Sequence, residues 1–268
     1  MDTSPDSTDK QVSNAKTLRG MFHVHSHYSY DADNTIEDIA AFFKSKGYHF
    51  VCLTEHADDF NQDKMDAFLD ACKENSCDDF IVIPGMEYRC TGEIHLLVIG
   101  STTFYNAKSL FDIATRAHEG KILTVIAHPR GYEENIDPAI IDLIDGIELW
   151  NGHKDSKIIP HYHTFNIFKK FRQTNPCLIA LGGSDFHRLS SYFPLDTVIP
   201  DCELKMDSIL DKLKGGDFYI EGRYFKIKSP DITWLSFLLL IFARNVLVFV
   251  RTLRDTIKRK GQDLAQDT

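Results

Sequence analysis

The sequence lacks the features that would place it outside the cytoplasm. Residues 1–17 are polar, rich in Ser and Asp, and contain no apolar run of the kind found in secretory signals. Six cysteines stand at positions 52, 72, 77, 90, 177 and 202, and no two of them form a Cys-x-x-Cys pair. We therefore predict a disordered leader over residues 1–17, and reduced structural thiols in a cytoplasmic protein.

An excess of basic residues is also missing. The 268 residues include 30 Lys and Arg against 39 Asp and Glu, which gives a formal net charge of −9 with neutral histidine. Such a field repels phosphate, which disfavours a protein that coats nucleic acid, and no duplex nucleic acid is expected as a partner. A hydrophobic fraction of 43% excludes wholesale disorder and supports a substantial core.

The common nucleophile and nucleotide motifs are absent as well. The sequence contains no Gly-x-Ser-x-Gly elbow, no Walker loop and no cysteine nucleophile signature. Histidine, by contrast, is plentiful, with twelve residues. Their positions relative to the predicted strands indicate the function.

Seven short apolar runs alternate with segments of helical pattern, which predicts the α/β class. The predicted helices include Thr35–Gly47, Asp63–Cys72 and Ser109–His118. Runs of this length, bounded by turn signals, are typical of a parallel sheet buried on both faces, and seven repeats favour a (β/α) barrel over an open sheet. The runs are MFHVH, HFVCLTEH, DFIVIPGMEY, EIHLLVIG, KILTVIAHP, GIELWNG and CLIALGGSD.

Nearly every run ends in, or close to, a side chain that can bind a metal ion. The C-terminal ends of parallel barrel strands converge on one face, so residues far apart in the sequence would meet there. In His23-Val-His25, alternate residues of a strand point to the same face, and both imidazoles can reach one ion. The candidate ligands are His23, His25, Asp31, His56, Glu87, His95, His128, Asp185 and His187.

The motifs His-x-His, Thr-Glu-His, Pro-Gly-x-Glu, Ala-His-Pro and Ser-Asp-x-His together resemble those of the PHP family, named for polymerase and histidinol phosphatase. The resemblance covers roughly residues 20–225, and we assign residues 18–229 to this domain. It implies a distorted seven-stranded (β/α) barrel with two to three divalent ions at its mouth. The sequence departs from many members at Asp31, where they have His, and at Glu55, where they have Asp.

The resemblance also implies how a trinuclear metal site would share the nine ligands. They divide into three groups, one for each ion: His23 and His25 with Glu87 and Asp185; Glu87 with His128 and His95; and Asp31, His56 and His187. Glu87 would bridge the first two ions, and Glu55 would orient a ligand or solvent molecule from behind. A mixed shell of histidine and carboxylate suits zinc, manganese or iron.

Such a site fits phosphoester hydrolysis, because clustered divalent ions lower the pKa of a bound water from about 15.7 towards 7 and neutralise phosphoryl oxygens. We therefore predict a hydrolase that acts on a phosphomonoester, either a small metabolite or a nucleotide, with a metal-bound hydroxide as the nucleophile. Within the same class, a 5′-acting exonuclease or a nucleotide bisphosphate phosphatase stays open. Two hypotheses from other classes also stay open. One is a catalytically silent, metal-stabilised interaction module. The other is a metal-dependent C–N hydrolase, which is disfavoured because such enzymes usually carry a metal-bridging lysine at a strand end, and no lysine here occupies such a place.

Several cationic side chains near these motifs are candidates for contacts with the substrate. Arg130 directly follows His128-Pro129, Arg188 directly follows His187, and Arg89 comes two residues after Glu87. Each is a candidate to bind phosphate through its forked donors. His153 is a candidate acid for the leaving group, assisting the metal-bound water. The remaining histidines, at positions 27, 49, 118, 161 and 163, are predicted to be structural or to lie at the surface.

Towards the C-terminus the composition changes to the apolar run ITWLSFLLLIFA. The run is shorter than the about 20 residues that span a bilayer. Arg244, Arg251 and Lys258 then repeat every seven residues, which would give one cationic stripe on a helix. For residues 230–268 we predict an amphipathic helix with a polar tail. Peripheral contact with the inner membrane face through residues 232–260, homo-oligomerisation or packing on the barrel, and a true anchor all stay open.

Overall fold

The computed structural model describes residues 16–229 and, further on, residues 238, 239, 241–243, 245, 246, 248–250, 252 and 254. Residues 1–15 of the predicted leader and the three cationic stripe positions therefore lie outside the described residues. Residues 16 and 17, which the sequence assigned to the leader, belong to the first strand.

Between residues 16 and 229 the chain forms twelve strands and five α-helices. In chain order these are β1 Lys16–Val24, α1 Ile36–Ser45, β2 Phe50–Leu53, β3 Glu55–His56, α2 Gln62–Glu74, β4 Ile81–Ile83, β5 Gly85–Cys90, β6 Ile94–Ile99, α3 Leu110–Glu119, β7 Leu123–Ile126, β8 Gly146–Asn151, α4 Tyr162–Thr174, β9 Ile179–Gly183, β10 Leu195–Cys202, α5 Met206–Lys214, β11 Phe218–Gly222 and β12 Lys226–Ser229. The α/β class is confirmed.

The strands form two six-stranded sheets, in the orders β12-β11-β10-β1-β2-β4 and β3-β5-β6-β7-β8-β9. All seven apolar runs become strands, but two of the runs divide. The run HFVCLTEH splits at Thr54 into β2 and β3, and DFIVIPGMEY splits at Pro84 into β4 and β5. Proline has no amide hydrogen to donate to a ladder, so it is a natural place for the chain to pass from one sheet to the other.

The sheets are mixed, which differs from the parallel arrangement expected from the sequence. Strand β1 is antiparallel to β10, and β6 is antiparallel to both β5 and β7. Only residues 91–93 join β5 to β6, and so short a connection permits a hairpin but no crossover. Gly92 adopts a φ of +84° in this turn, a conformation that glycine tolerates without strain.

The three predicted helices are present as α1, α2 and α3. Helix α1 turns Ile36, Ile39 and Phe43 into the core, as its apolar stripe requires. The helix begins at a capping box, in which the Thr35 side chain accepts a hydrogen bond from the Asp38 amide at 3.0 Å. The six cysteines are free thiols, and four of them are buried.

The described positions between 238 and 254 are helical and carry exposed apolar side chains. Leu239, Phe242 and Phe249 are 59%, 68% and 67% exposed, whereas Ala243 packs against the core. Within the part of the chain that the structure describes, no helix combines the length and the apolar character needed to cross a bilayer.

Candidate metal centre

The predicted ligands come together from strands of both sheets. Their donor atoms form three groups, each with all atoms within 4.8 Å of one another: His23, His25 and Asp185; Glu87, His95 and His128; and His25, His56 and His187. A cavity of about 420 Å³ is lined by Asp31 and by six of these ligands, namely His56, Glu87, His95, His128, Asp185 and His187. His23 and His25 are fully buried and do not line the cavity.

Glu87 stands between two of the groups. Its Oε2 atom lies 3.4 Å from Nε2 of His23 and 3.4 Å from Nε2 of His25. Its Oε1 atom lies 2.7 Å from Nδ1 of His95 and 3.2 Å from Nε2 of His128. Each carboxylate oxygen therefore faces a different group, which is the arrangement that a bridging ligand needs.

The third group differs slightly from the one implied by the family resemblance, because His25 takes part in it. The His25 ring lies 4.5 Å from that of His56 and 4.3 Å from that of His187. Asp31 is in place beside them, with its Oδ2 atom 3.3 Å from Nε2 of both His56 and His187. His25 thus belongs to two of the three groups.

The side chains of His23 and His25 converge for a different reason from the one given by strand alternation. Strand β1 ends at Val24, and the pairing of β1 with β2 shifts register between Met21 and Val24. Within this irregularity His23 has a φ of +61°, so the backbone does not follow a regular pleat. The two rings still come within 5.1 Å, because a bulge can redirect a side chain towards a site.

His95 lies near the start of its strand instead of near the end. Strand β6 runs antiparallel to β5, and Glu87, the third residue of β5, pairs with Leu97, two residues beyond His95. The hairpin places Arg89 opposite His95 and leaves His95 beside the Glu87 carboxylate. The eight-residue separation of Glu87 and His95 follows directly from this turn.

Three of the predicted ligands have left-handed backbone conformations, which are costly for residues other than glycine. The φ angles are +61° at His23, +29° at His128 and +51° at Asp185. Strain of this kind persists only where the surroundings hold the residue firmly, and it concentrates at functional sites.

The electrostatics of the site fit bound cations. Burial lowers the pKa of His25 well below its usual value, which leaves a neutral imidazole, and its buried Nε2 atom has no hydrogen-bond partner. Burial by itself would raise the pKa of Glu87 and of Asp185. Neighbouring imidazoles, His23 first, nevertheless hold the pKa of Glu87 well below its normal range. His23 is also the main group that lowers the pKa of Asp185, to about 2. Buried carboxylates and an orphaned imidazole nitrogen are the donor set that a divalent metal ion requires.

Glu55 contacts the turn that follows β1. The carboxylate is fully buried and accepts hydrogen bonds from the Ser26 amide at 2.9 Å and from the Ser29 hydroxyl at 2.6 Å. The Ser29 oxygen in turn accepts a hydrogen bond from the backbone amide of His56 at 2.9 Å. Burial raises the pKa of Glu55 to about 7, despite these hydrogen bonds.

The three candidate phosphate-binding arginines are all engaged with acidic side chains. Arg188 lines the cavity and pairs with Asp33 at 3.1 Å. Arg89 pairs with Glu93 and does not line the 420 Å³ cavity.

Arg130 lines an adjoining cavity of about 310 Å³, where it lies 3.5 Å from Asp155 and donates to the Lys154 carbonyl at 2.8 Å. His153 lines the main cavity, as its predicted role requires.

Two residues at the site were not singled out from the sequence. Glu148 is fully buried in β8, where it bonds to the side chain of His23 and to the backbone of His128. The sequence feature that could have identified Glu148 is its position as a carboxylate in the middle of the apolar run GIELWNG. Lys154 lines both cavities, and nothing in its local sequence marks it.

Two solved structures show that related chains share the fold. One is a two-domain protein containing a predicted PHP-like metal-dependent phosphoesterase from Bacteroides vulgatus, with 17% identity and a TM-score of 0.58; the match covers 78% of this chain and 65% of that protein. The other is PsfC from Pseudomonas syringae, with 13% identity and a TM-score of 0.53, covering 89% of this chain and 99% of that one.

No curated protein matches the chain. The model of the PHP domain family matches residues 22–221, and these include every predicted ligand. The chain therefore belongs to the PHP domain family.

Proposed function

We propose that the protein is a metal-dependent phosphoesterase that hydrolyses a phosphomonoester, either a small metabolite or a nucleotide. The convergence of nine histidine and carboxylate side chains, seven of which line one cavity, with Glu87 between two groups of donors, is the observation that carries this proposal. Zinc, manganese or iron, held by these residues, would supply an activated water and neutralise phosphoryl oxygens.

The dimensions of the site favour a small substrate. The main cavity of about 420 Å³ and its neighbour of about 310 Å³ share His95, His128 and Lys154 as lining residues. Together they fall in the size range of pockets that enclose single small molecules. A phosphoryl group at the ligands would leave the second cavity for the rest of the substrate.

Lys154 is the cation best placed to bind the phosphoryl group. Arg130 and Arg188 each contact a carboxylate, which reduces the number of N–H groups available to a substrate. Lys154 lines both cavities, and its backbone is held by Asn151 and by the Arg130 guanidinium. Arg130 then acts mainly by fixing the loop that carries Lys154.

We also propose that the domain is a closed form of the distorted seven-stranded (β/α) barrel that the family resemblance implies. The supporting observations are the two runs that pass from one sheet to the other and the parallel bridge between Val24 and Phe186. This bridge joins the end of β1 to the segment that follows β9.

The proposed activity is tested on the full-length protein after treatment with a chelator and reconstitution with Mn²⁺, Zn²⁺ or Fe²⁺. The reconstituted protein is assayed against a panel of phosphomonoesters and nucleotides, an aryl phosphodiester and a 5′-labelled oligonucleotide. We expect monoester hydrolysis that is lost on chelation, restored by metal, and lowered at least about 100-fold in Asp185→Asn, which keeps the side-chain shape.

Two of the alternatives predict different results in the same assay. Cleavage of the oligonucleotide in preference to every monoester would favour the exonuclease. Metal-loaded protein that cleaves none of these compounds would contradict the proposed function and favour the interaction module.

A further inference from the structure

A buried carboxylate behind the ligands, Glu148, has no place in the proposed ligand set. It lies in the middle of β8 and is completely excluded from solvent, between the apolar neighbours Ile147 and Leu149. An ionised carboxylate in such a position is stable only if its oxygens are hydrogen-bonded or paired. Its partners therefore indicate what it does.

Both oxygens of Glu148 are used by groups of the metal centre. Oε1 lies 2.6 Å from Nδ1 of His23, and since a carboxylate only accepts, the imidazole donates. Oε2 accepts from the backbone amide of His128 at 2.9 Å and from the Asn151 side chain at 2.9 Å. With its oxygens engaged in this way, Glu148 supports ligands and does not act as one.

The two ligands that Glu148 contacts have strained backbone conformations that the surrounding structure must hold in place. His23 and His128 both have left-handed φ angles, of +61° and +29°. The bond to Nδ1 of His23 also fixes the tautomer, so that Nε2 faces the Glu87 carboxylate at 3.4 Å. The bond to the His128 amide anchors the backbone immediately after β7. One side chain thus restrains a side chain in one donor group and the backbone in another.

Glu55 provides a natural comparison with Glu148. It is also a fully buried glutamate, but it acts through Ser29, whose oxygen contacts the His56 amide at 2.9 Å and Nδ1 of His25 at 3.3 Å. No contact joins Glu55 to His23 or His128 among the described residues. The two glutamates therefore support different parts of the ligand set.

We propose that Glu148 is a positioning residue shared by two metal sites, the one containing His23 and the one containing His128. Glu55 supports the site containing His56. This inference rests on the metal binding in the proposed function. It goes beyond that function because it states that a single outer carboxylate sets the affinity of two sites together.

The test compares Glu148→Gln with Glu55→Gln in the full-length protein. Glutamine keeps the shape but replaces one accepting oxygen with a donating NH₂ group, which cannot satisfy both His23 and the His128 amide. Metal binding is measured by equilibrium dialysis against graded free Zn²⁺ with elemental analysis, and by the absorption spectrum of bound Co²⁺. Far-UV circular dichroism in chelator checks the fold of each variant.

We expect Glu148→Gln to weaken the sites containing His23 and His128 by about 10- to 100-fold, and Glu55→Gln to leave the site containing His128 unchanged. If Glu148→Gln fails to fold, Glu148→Asp keeps the buried charge but is one methylene too short to reach both partners, and at least one site should weaken. Glu148→Gln with unchanged binding at both sites, or Glu55→Gln that weakens the site containing His128 as strongly as Glu148→Gln does, would overturn the inference. Wild-type protein that binds no metal would instead overturn the proposed function.

Discussion

At the scale of single residues, the centre is organised by buried charge. The acids Glu87, Glu148 and Asp185 surround His23, and each is at most 7% exposed. Burial opposes protonation of His23, but these three carboxylates together raise the pKa of its imidazole well above the usual value. Positive charge is therefore favoured at this point of the structure, and divalent ions would supply it in a form that also binds phosphate.

The role proposed for Lys154 is tested by Lys154→Gln. We expect KM for the phosphomonoester to rise about tenfold with a smaller change in kcat, because a charge-assisted hydrogen bond to phosphate contributes on the order of 1.5 kcal/mol to binding. Steady-state kinetics on the reconstituted enzyme gives both constants.

Lys157→Gln is the matched control, since this lysine stands in the same loop but does not line either cavity. An unchanged KM in Lys154→Gln, with a raised KM in Arg130→Gln, would show that the arginine is the phosphate-binding residue.

At the scale of the elements, close packing between β8 and β9 holds Glu148 in place. Gly183 is the last residue of β9 and pairs with Asn151 at the end of β8. A Cβ atom on Gly183 would lie 1.7 Å from Oε1 of Glu148 and 2.9 Å from Cβ of His23. The absence of a side chain here gives the carboxylate room to reach the histidine.

The Gly183→Ala variant is therefore expected to displace Glu148 and to lower metal affinity at least tenfold, together with the catalytic rate. The neighbouring Gly182→Ala is the control, because the three atoms nearest to its Cβ would all belong to the Ile220 side chain, the first at 2.5 Å. We expect Gly182→Ala to lower the free energy of unfolding by about 1–3 kcal/mol without changing metal affinity. Metal titration and urea unfolding of both variants measure these effects. Equal metal affinity in the two variants would contradict this explanation.

At the scale of the whole molecule, the exposed apolar side chains between residues 238 and 254 lie outside the metal centre. All the proposed ligands fall between residues 23 and 187, within the part matched by the family model. The C-terminal segment combines exposed Leu239, Phe242 and Phe249 with basic residues in the sequence. We propose that it contacts an anionic membrane surface, to which apolar burial and positive charge both contribute.

Truncation after Ser229 tests this proposal. We expect the full-length protein to sediment with vesicles that contain an anionic phospholipid, and the truncated protein to remain in the supernatant. The kcat of both should agree within about twofold on a small phosphomonoester, since the site is retained. Light scattering of both proteins measures oligomeric state. Full-length protein that ignores the vesicles but forms a dimer, when the truncated protein is a monomer, would favour the oligomerisation alternative.

Much of the site was predictable because its chemistry is local. Histidine and carboxylate residues next to short apolar runs identify potential ligands without any knowledge of the path of the chain. The runs themselves show that the fold belongs to the α/β class, and three helices follow from their apolar stripes. These features depend on residue type and on spacing within about ten positions, which a sequence displays directly.

Only the tertiary structure decided how these parts are arranged. It divided two apolar runs between two sheets, reversed β6 so that His95 lies near the start of its strand, and gave His23 a left-handed backbone. It also brought Glu148 against two ligands that precede it by 125 and 20 residues. Such contacts depend on which strands pair and in which direction. The pairing is set by packing and hydrogen bonding between distant segments, and no local pattern encodes it.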